Sequence, residues 1–134
     1  MDFWNTTPGD IEDIRDIPPG KYLAYVSGYQ LDAAEDKPYV VLEFKVRDAL
    51  SGQDMTGVEL NRPLRTGRMY FTPAAKKYTK RNLKKLYPSL ADGVAWKEQF
   101  ENMVGLEAVI VYATTKGSNG KDYTNVVDFA ATGS

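Results

Sequence analysis

From Lys21 the chain alternates between apolar and polar positions. Tyr22, Ala24 and Val26 share one face of an extended segment, and Leu23, Tyr25, Ser27 and Tyr29 the other, which is the period of a β-strand. Gly28 interrupts the run and predicts a bulge or a sharp bend. The polar stretch DAAEDKP closes this strand and Tyr39 opens the next. In YVVLEFKVRD the even positions Val40, Leu42, Phe44 and Val46 make an unbroken apolar row. The odd positions Tyr39, Glu43, Lys45 and Arg47 are mostly polar, with Val41 the exception, so this is an antiparallel strand with one wet face. A turn at SGQ leads to a third extended region ending in RMYF, with Met69 and Phe71 inward and Arg68 and Tyr70 outward.

The period then changes. Thr72 suits an N-cap and Pro73 a first helical turn, and Ala75, Thr79, Leu83 and Leu86 form a narrow apolar stripe that Pro88 ends. A second helix is predicted after Asp92, with Trp96, Phe100 and Met103 on one face and Gly105 beyond its end. LEAVIVYATT and KDYTNVVDF read as two final strands joined by KGSNGK, where Asn119-Gly120 is a hairpin signal. The fold class expected is mainly β with a helical insert. Its five-stranded antiparallel barrel, with one or two helices between strands 3 and 4, has the element order of an OB-fold. Pro18, Pro19 and Gly20 punctuate the start, so residues 1–17 are an acidic arm, 18–130 the domain, and 131–134 a disordered end.

Composition narrows the chemistry. At 134 residues one domain is expected. Neither cysteine nor histidine occurs, which rules out disulfides, iron–sulfur clusters, Cys/His nucleophiles and a Ser-His-Asp triad, and removes the usual zinc ligands. No apolar run approaches the roughly 20 residues of a membrane span, and MDFWNTTPGD lacks the basic start of a signal peptide. A cytoplasmic protein that meets no membrane and carries no cofactor is the expectation.

Charge is where the sequence is unusual. The net charge is −1, yet between Glu59 and Asp92 stand nine cations and no acid: Arg62, Arg65, Arg68, Lys76, Lys77, Lys80, Arg81, Lys84 and Lys85. Six of them lie on the first helix, which thereby forgoes the Glu–Lys pairs that ordinary surface helices use. A ridge of that kind suits a polyanionic partner. The outward tyrosines Tyr25, Tyr29, Tyr39 and Tyr70 stand with Lys45, Arg47 and Arg68, a combination that offers rings to bases and cations to phosphates. Any one tyrosine has an ordinary explanation as a strand former; the grouping is what points to single-stranded nucleic acid. Lys116 and Lys121 flank a loop that borders the binding groove in OB-folds. GSNGK lacks the GxxxxGK[ST] spacing of a phosphate loop and is read as a plain turn.

IPPGKYLAYVSGYQ, YVVLEFKVRD and LYPSL…MVGLEAVIVYATTKGSNGKDYTNVVDF resemble a family of phage-encoded single-stranded DNA-binding proteins, over about Asp16 to Phe129. The resemblance implies an OB-fold that coats single strands during phage DNA replication or recombination in the host cytoplasm, with replication or recombination proteins as further partners. Proteins of that kind often end in an acidic tail that recruits those partners. This sequence departs there, finishing DFAATGS, so either the tail is missing or recruitment works differently, with the acidic N-terminal arm a candidate.

Two other classes remain open. Glu43-Phe44-Lys45 is an E-x-K on a strand with Asp32 and Asp36 upstream, the pattern by which many nucleases hold Mg²⁺. Those nucleases lead with a helix for which there is no room here. The basic ridge could instead meet an acidic protein. The expectation is a non-catalytic, largely sequence-independent binder of single-stranded DNA.

Overall fold

A computed structural model describes residues 3–5, 15–33 and 37–132. Most of the acidic arm, the middle of the DAAEDKP loop with Asp36, and the last two residues lie outside the described residues. A short 3-10 turn covers Phe3–Asn5, and two long strands follow, β1 (Gly20–Asp32) and β2 (Tyr39–Ala49). Two short pieces, β3 (Leu64–Arg65) and β4 (Met69–Tyr70), lead to helices α1 (Lys76–Leu86) and α2 (Trp96–Met103). The hairpin of β5 (Glu107–Lys116) and β6 (Asp122–Ala131) completes the chain. The fold is mainly β: one antiparallel sheet in the order β3-β2-β1-β5-β6, with β4 also on β2.

The apolar rows read from the sequence are the core. Tyr22, Ala24, Val26, Val40, Leu42 and Phe44 are fully buried, joined by Ala108 and Ile110 of β5 and Val126 and Phe129 of β6. The buried Tyr22 phenol needs a partner, and it donates to the carbonyl of Pro18.

β1 carries two irregularities, and the second reverses its parity. Val26 lies opposite Phe44 but Gly28 opposite Glu43, so Ser27 is an extra residue and Tyr29 comes to lie opposite Leu42, on the inner face. There the Tyr29 ring packs 5.7 Å from that of Phe100. The bulge expected at Gly28 is present; the outward placement of Tyr29 is corrected by it. The first irregularity pairs Leu23 with Asp48 and Ala24 with Val46, leaving Arg47 as the extra residue on β2.

The third extended region is broken for a similar reason. Phe44 pairs with Leu64 and Glu43 with Arg65, then Val40 with Met69 and Tyr39 with Tyr70, so this side of the ladder holds one residue more than β2. Thr66 sits at the break. Its N–H donates to the Leu42 carbonyl at 3.0 Å, while its buried hydroxyl accepts from the Leu42 N–H at 3.1 Å and donates to the Gly67 carbonyl at 2.8 Å. The side chain thus stands in for a ladder carbonyl while the backbone turns away. Thr66 also forms a parallel bridge to Val126 of β6, linking the two outer strands of the sheet order.

Helix α1 docks through Thr79, Leu83 and Leu86, which are buried against β4 and β6, and the Thr79 hydroxyl donates to the Tyr70 carbonyl at 2.6 Å. Its N-cap is Ala75 rather than Thr72, with no side-chain cap: Pro73–Ala75 form a preceding turn in which the Thr72 carbonyl accepts from Ala75 and Lys76. Helix α2 buries Phe100 and Met103, and its buried Gln99 amide donates to the carbonyls of Ala91 and Val94, pinning the segment between the helices. Gly105 then turns the chain with φ of +94°, and its N–H reaches the Val26 carbonyl at 2.8 Å, beside the bulge of β1. Gly120, at φ +80°, supplies the left-handed turn of the β5–β6 hairpin. Among the described residues no helix is long and apolar enough to cross a membrane.

Candidate nucleic-acid interface

The outer face of β1, β2 and β4 carries the aromatic and cationic residues in two separate groups. At one end Tyr39 and Tyr70 face each other across the strands, their rings edge to face at 5.7 Å. The Arg68 guanidinium lies 4.7 Å above the Tyr39 ring. A hydrogen bond with Tyr70 and the nearness of Tyr39 favour its charged form. The Tyr39 hydroxyl donates to Asp32 at 3.3 Å. At the other end Tyr25 lies between Lys45 on β2 and Glu107 on β5, with the Arg47 guanidinium 4.7 Å over its ring. The bulge that leaves Arg47 extra is what lets it fold back here, where it also bonds Glu107 at 2.9 Å. Tyr39 and Lys45 are six positions apart along β2, about 20 Å of strand.

Between the groups the face is neutralised. Arg65 donates to Glu43 at 3.1 Å and Gln30 to the same oxygen at 3.2 Å. Arg65 is therefore an ion-pair partner of Glu43 rather than an unengaged cation, and the E-x-K carboxylate is already held. Arg62 is on neither aromatic group. It pairs with Asp16 at 2.7 Å, beside a hollow that Pro63, Tyr112 and Thr124 help to line.

The ridge on α1 is real but partly engaged. Lys80 pairs with Asp92 at 2.7 Å and Lys85 with Asp128, and these bonds hold both carboxyls below their usual range. Lys76, Lys77, Arg81 and Lys84 are exposed and enter no ion pair among the described residues. Tyr78, which the charge pattern alone does not single out, is 51% exposed, with Lys77 Nζ 5.2 Å and Arg81 Cζ 5.5 Å from its ring centre. Its spacing offered a signal: it is adjacent to Lys77 and three residues before Arg81, within reach on a helix.

A groove of about 560 Å³ runs between the Thr66–Met69 segment, the Asn82 and Lys85 side of α1, and the β6 strand from Asn125 to Phe129. Arg68 and Thr115, the latter at the neck of the β5–β6 hairpin, are both among the residues that line it. Lys116 and Lys121 are exposed just beyond, Lys116 opposite Asp122.

Trp96 also departs from its expected place. Its spacing with Phe100 and Met103 predicts a core residue, yet it is 37% exposed, stacked on Phe100 at 5.8 Å and packed on Phe71 at 4.9 Å. Comparison with known proteins adds no relative: no protein-family model matches the chain, and no curated protein matches it significantly.

Proposed function

We propose that the chain is a single-stranded DNA-binding protein of low sequence preference, built on an OB-fold barrel and serving phage DNA replication or recombination. The fold part of this reading is supported by topology. With β3 and β4 taken as one bulged strand, the sheet has five members, and the parallel Thr66–Val126 bridge joins its outer strands, as closure into an OB barrel requires. The helices between the third and fourth members agree with that order.

One observation carries the binding part: the Tyr39–Tyr70 pair under Arg68, beside a groove walled by the same arginine and backed by α1. Rings on a strand face with a cation lying over them suit unpaired bases and their phosphates, whereas a duplex keeps its bases stacked inside. Lys76, Lys77, Arg81 and Lys84 extend the positive track along the helix. The resemblance to phage single-strand binders agrees with this and supplies the replication or recombination setting.

The test is fluorescence anisotropy of labelled oligo-dT, a matched duplex and an RNA oligomer at two salt concentrations. Tight binding to oligo-dT, weaker binding to duplex and a fall with salt are expected. No binding of oligo-dT at low salt would overturn the reading in favour of a protein-interaction module.

A further inference from the structure

The aromatic residues around Trp96 form a trough that adjoins the Tyr39–Tyr70 face through Tyr39. Two adjoining hollows, about 370 and 360 Å³, share Phe71 and Trp96. Leu31, Pro38 and Tyr39 wall the first, and Lys76, Lys77 and Lys80 rim the second. Phe71 and Phe100 hold the indole from the protein side, the latter nearly parallel at 23°, so its orientation is set before any ligand arrives. Leu31 at the other wall is 45% exposed.

We propose that this trough is a nucleobase pocket, in which one unpaired base of the bound strand stacks on Trp96 while its flanking phosphates meet Lys76 and Lys77. The inference rests on the single-strand reading above and extends it to a residue and a site that the outer strand face does not include. An apolar, aromatic floor beside a rim of ammonium groups matches a flat base attached to a charged backbone. The rim is also asymmetric. Lys80 is tied to Asp92, leaving Lys76 and Lys77 for phosphates, while the opposite wall carries no cation among the described residues and holds the Asp32 carboxylate, which accepts from Tyr39. Lys76 and Lys77 thus place the backbone on the helix side, with the base pointing inward. Tyr39 belongs both to the first hollow and to the Tyr70–Arg68 cluster, so the strand passes from that cluster into the trough without a gap. Beyond it, Arg81 and Lys84 continue along α1.

The chain has two tryptophans, Trp4 and Trp96, which makes the site directly observable. In Trp4→Phe the indole emission comes from Trp96 alone. Titrating this variant with unlabelled oligo-dT should quench that emission, saturating at the concentration where anisotropy of labelled oligo-dT saturates. Trp96→Leu should weaken oligo-dT binding about tenfold or more with the salt dependence unchanged, because it removes a stacking surface and leaves every phosphate-binding cation in place. Lys76→Gln with Lys77→Gln should instead flatten the log–log salt slope by roughly 1.4. Circular dichroism and melting of Trp96→Leu check its fold; should that variant not fold, the emission titration decides by itself. Binding by anisotropy with no change in Trp96 emission would overturn the pocket and leave the single-strand reading standing. No binding by anisotropy overturns both. Quenching by a peptide of residues 1–16 that itself carries Trp4→Phe, and not by oligo-dT, would reassign the trough to an acidic aromatic segment.

Discussion

The guanidinium of Arg68 lies 4.7 Å above the Tyr39 ring, and Tyr39 lies directly across the strands from Tyr70. The pairing is local: Tyr39 opens β2, and Met69–Tyr70 rejoins β2 only after the Thr66 bulge, which places the Tyr70 ring opposite Tyr39. Tyr39→Ala and Tyr70→Ala are each expected to weaken oligo-dT binding by about 1–3 kcal/mol, with the salt slope unchanged. Arg68→Gln should weaken binding and flatten the slope by roughly 0.7. Anisotropy across a salt series reads both. A Tyr39→Ala protein that binds like wild type but melts far below it would give that ring to the fold instead.

Tyr29 carries the opposite expectation. Its ring faces Leu42 and packs on Phe100, half-buried rather than sealed. Tyr29→Ala should lower stability by about 2 kcal/mol, less than the roughly 3–5 kcal/mol of a fully buried aromatic. Tyr25→Ala, on the outer face, should leave the melting temperature nearly unchanged. Thermal melts of the two variants side by side check the bulge; a stable Tyr29→Ala protein would place Ser27 in register after all.

The rows Tyr22–Ala24–Val26 and Val40–Leu42–Phe44–Val46 are legible in the sequence because strict alternation against polar neighbours admits only one inward face. Tyr29 is not, for the same reason. Gly28 announces a bulge, but whether a residue is inserted, and so whether every later side chain changes face, is decided by the partner strand. The charge window has a similar blind spot. Asp92 is 12 residues from Lys80 and Asp128 is 43 from Lys85, so no local pattern foretells that these two lysines are engaged. Arg65 meets Glu43 only through the pairing of β3 with β2, and Arg47 meets Glu107 only once β2, β1 and β5 lie side by side. Trp96 misleads differently: helical spacing shows which face turns inward, and not that α2 begins at the rim of the core.

Engaged and unengaged cations should differ in the salt dependence. Replacing Lys77, Arg81 and Lys84 with Gln removes charges that enter no ion pair among the described residues. The log–log slope should flatten by about 0.7 for each phosphate that thereby goes unpaired. Lys80→Gln should change it less, because Asp92 competes for that ammonium. An unchanged slope in the triple variant would take α1 off the path of the strand.

Glu43 tests for catalysis. Its carboxylate accepts from Arg65 and Gln30 through one oxygen, so a metal ion there would have to compete with the Arg65 charge. Glu43→Ala should keep oligo-dT affinity at or slightly above wild type, since Arg65 is released, and should cost about 1 kcal/mol of stability for a pair whose arginine is exposed and whose carboxylate is partly covered. Incubation of purified protein with single- and double-stranded DNA and Mg²⁺ should leave the DNA intact. Mg²⁺-dependent cleavage that Glu43→Ala abolishes would replace the binding reading with a nuclease.

Asp128 and Lys85 couple acid stability to the groove. The hydrogen bond from Lys85 is the main reason the Asp128 carboxyl lies below its usual range, with the Phe129 N–H a smaller contributor. A folded-state pKa below the unfolded value of about 3.9 means the folded protein binds fewer protons there. The stabilisation is thus fully present above about pH 4 and is lost as pH falls through the lower folded value. Both side chains are roughly half exposed, so it amounts to no more than about 1 kcal/mol. Asp128→Asn should accordingly melt slightly below wild type at pH 7, with the two converging as pH falls through the lowered folded value. The same substitution releases Lys85 into the groove that Arg68 lines, and in oligo-dT titrations it should steepen the salt slope by roughly 0.7. If the melting gap persists at low pH, Asp128 acts through something other than this ion pair. If the slope does not steepen, the groove lies outside the path of the strand.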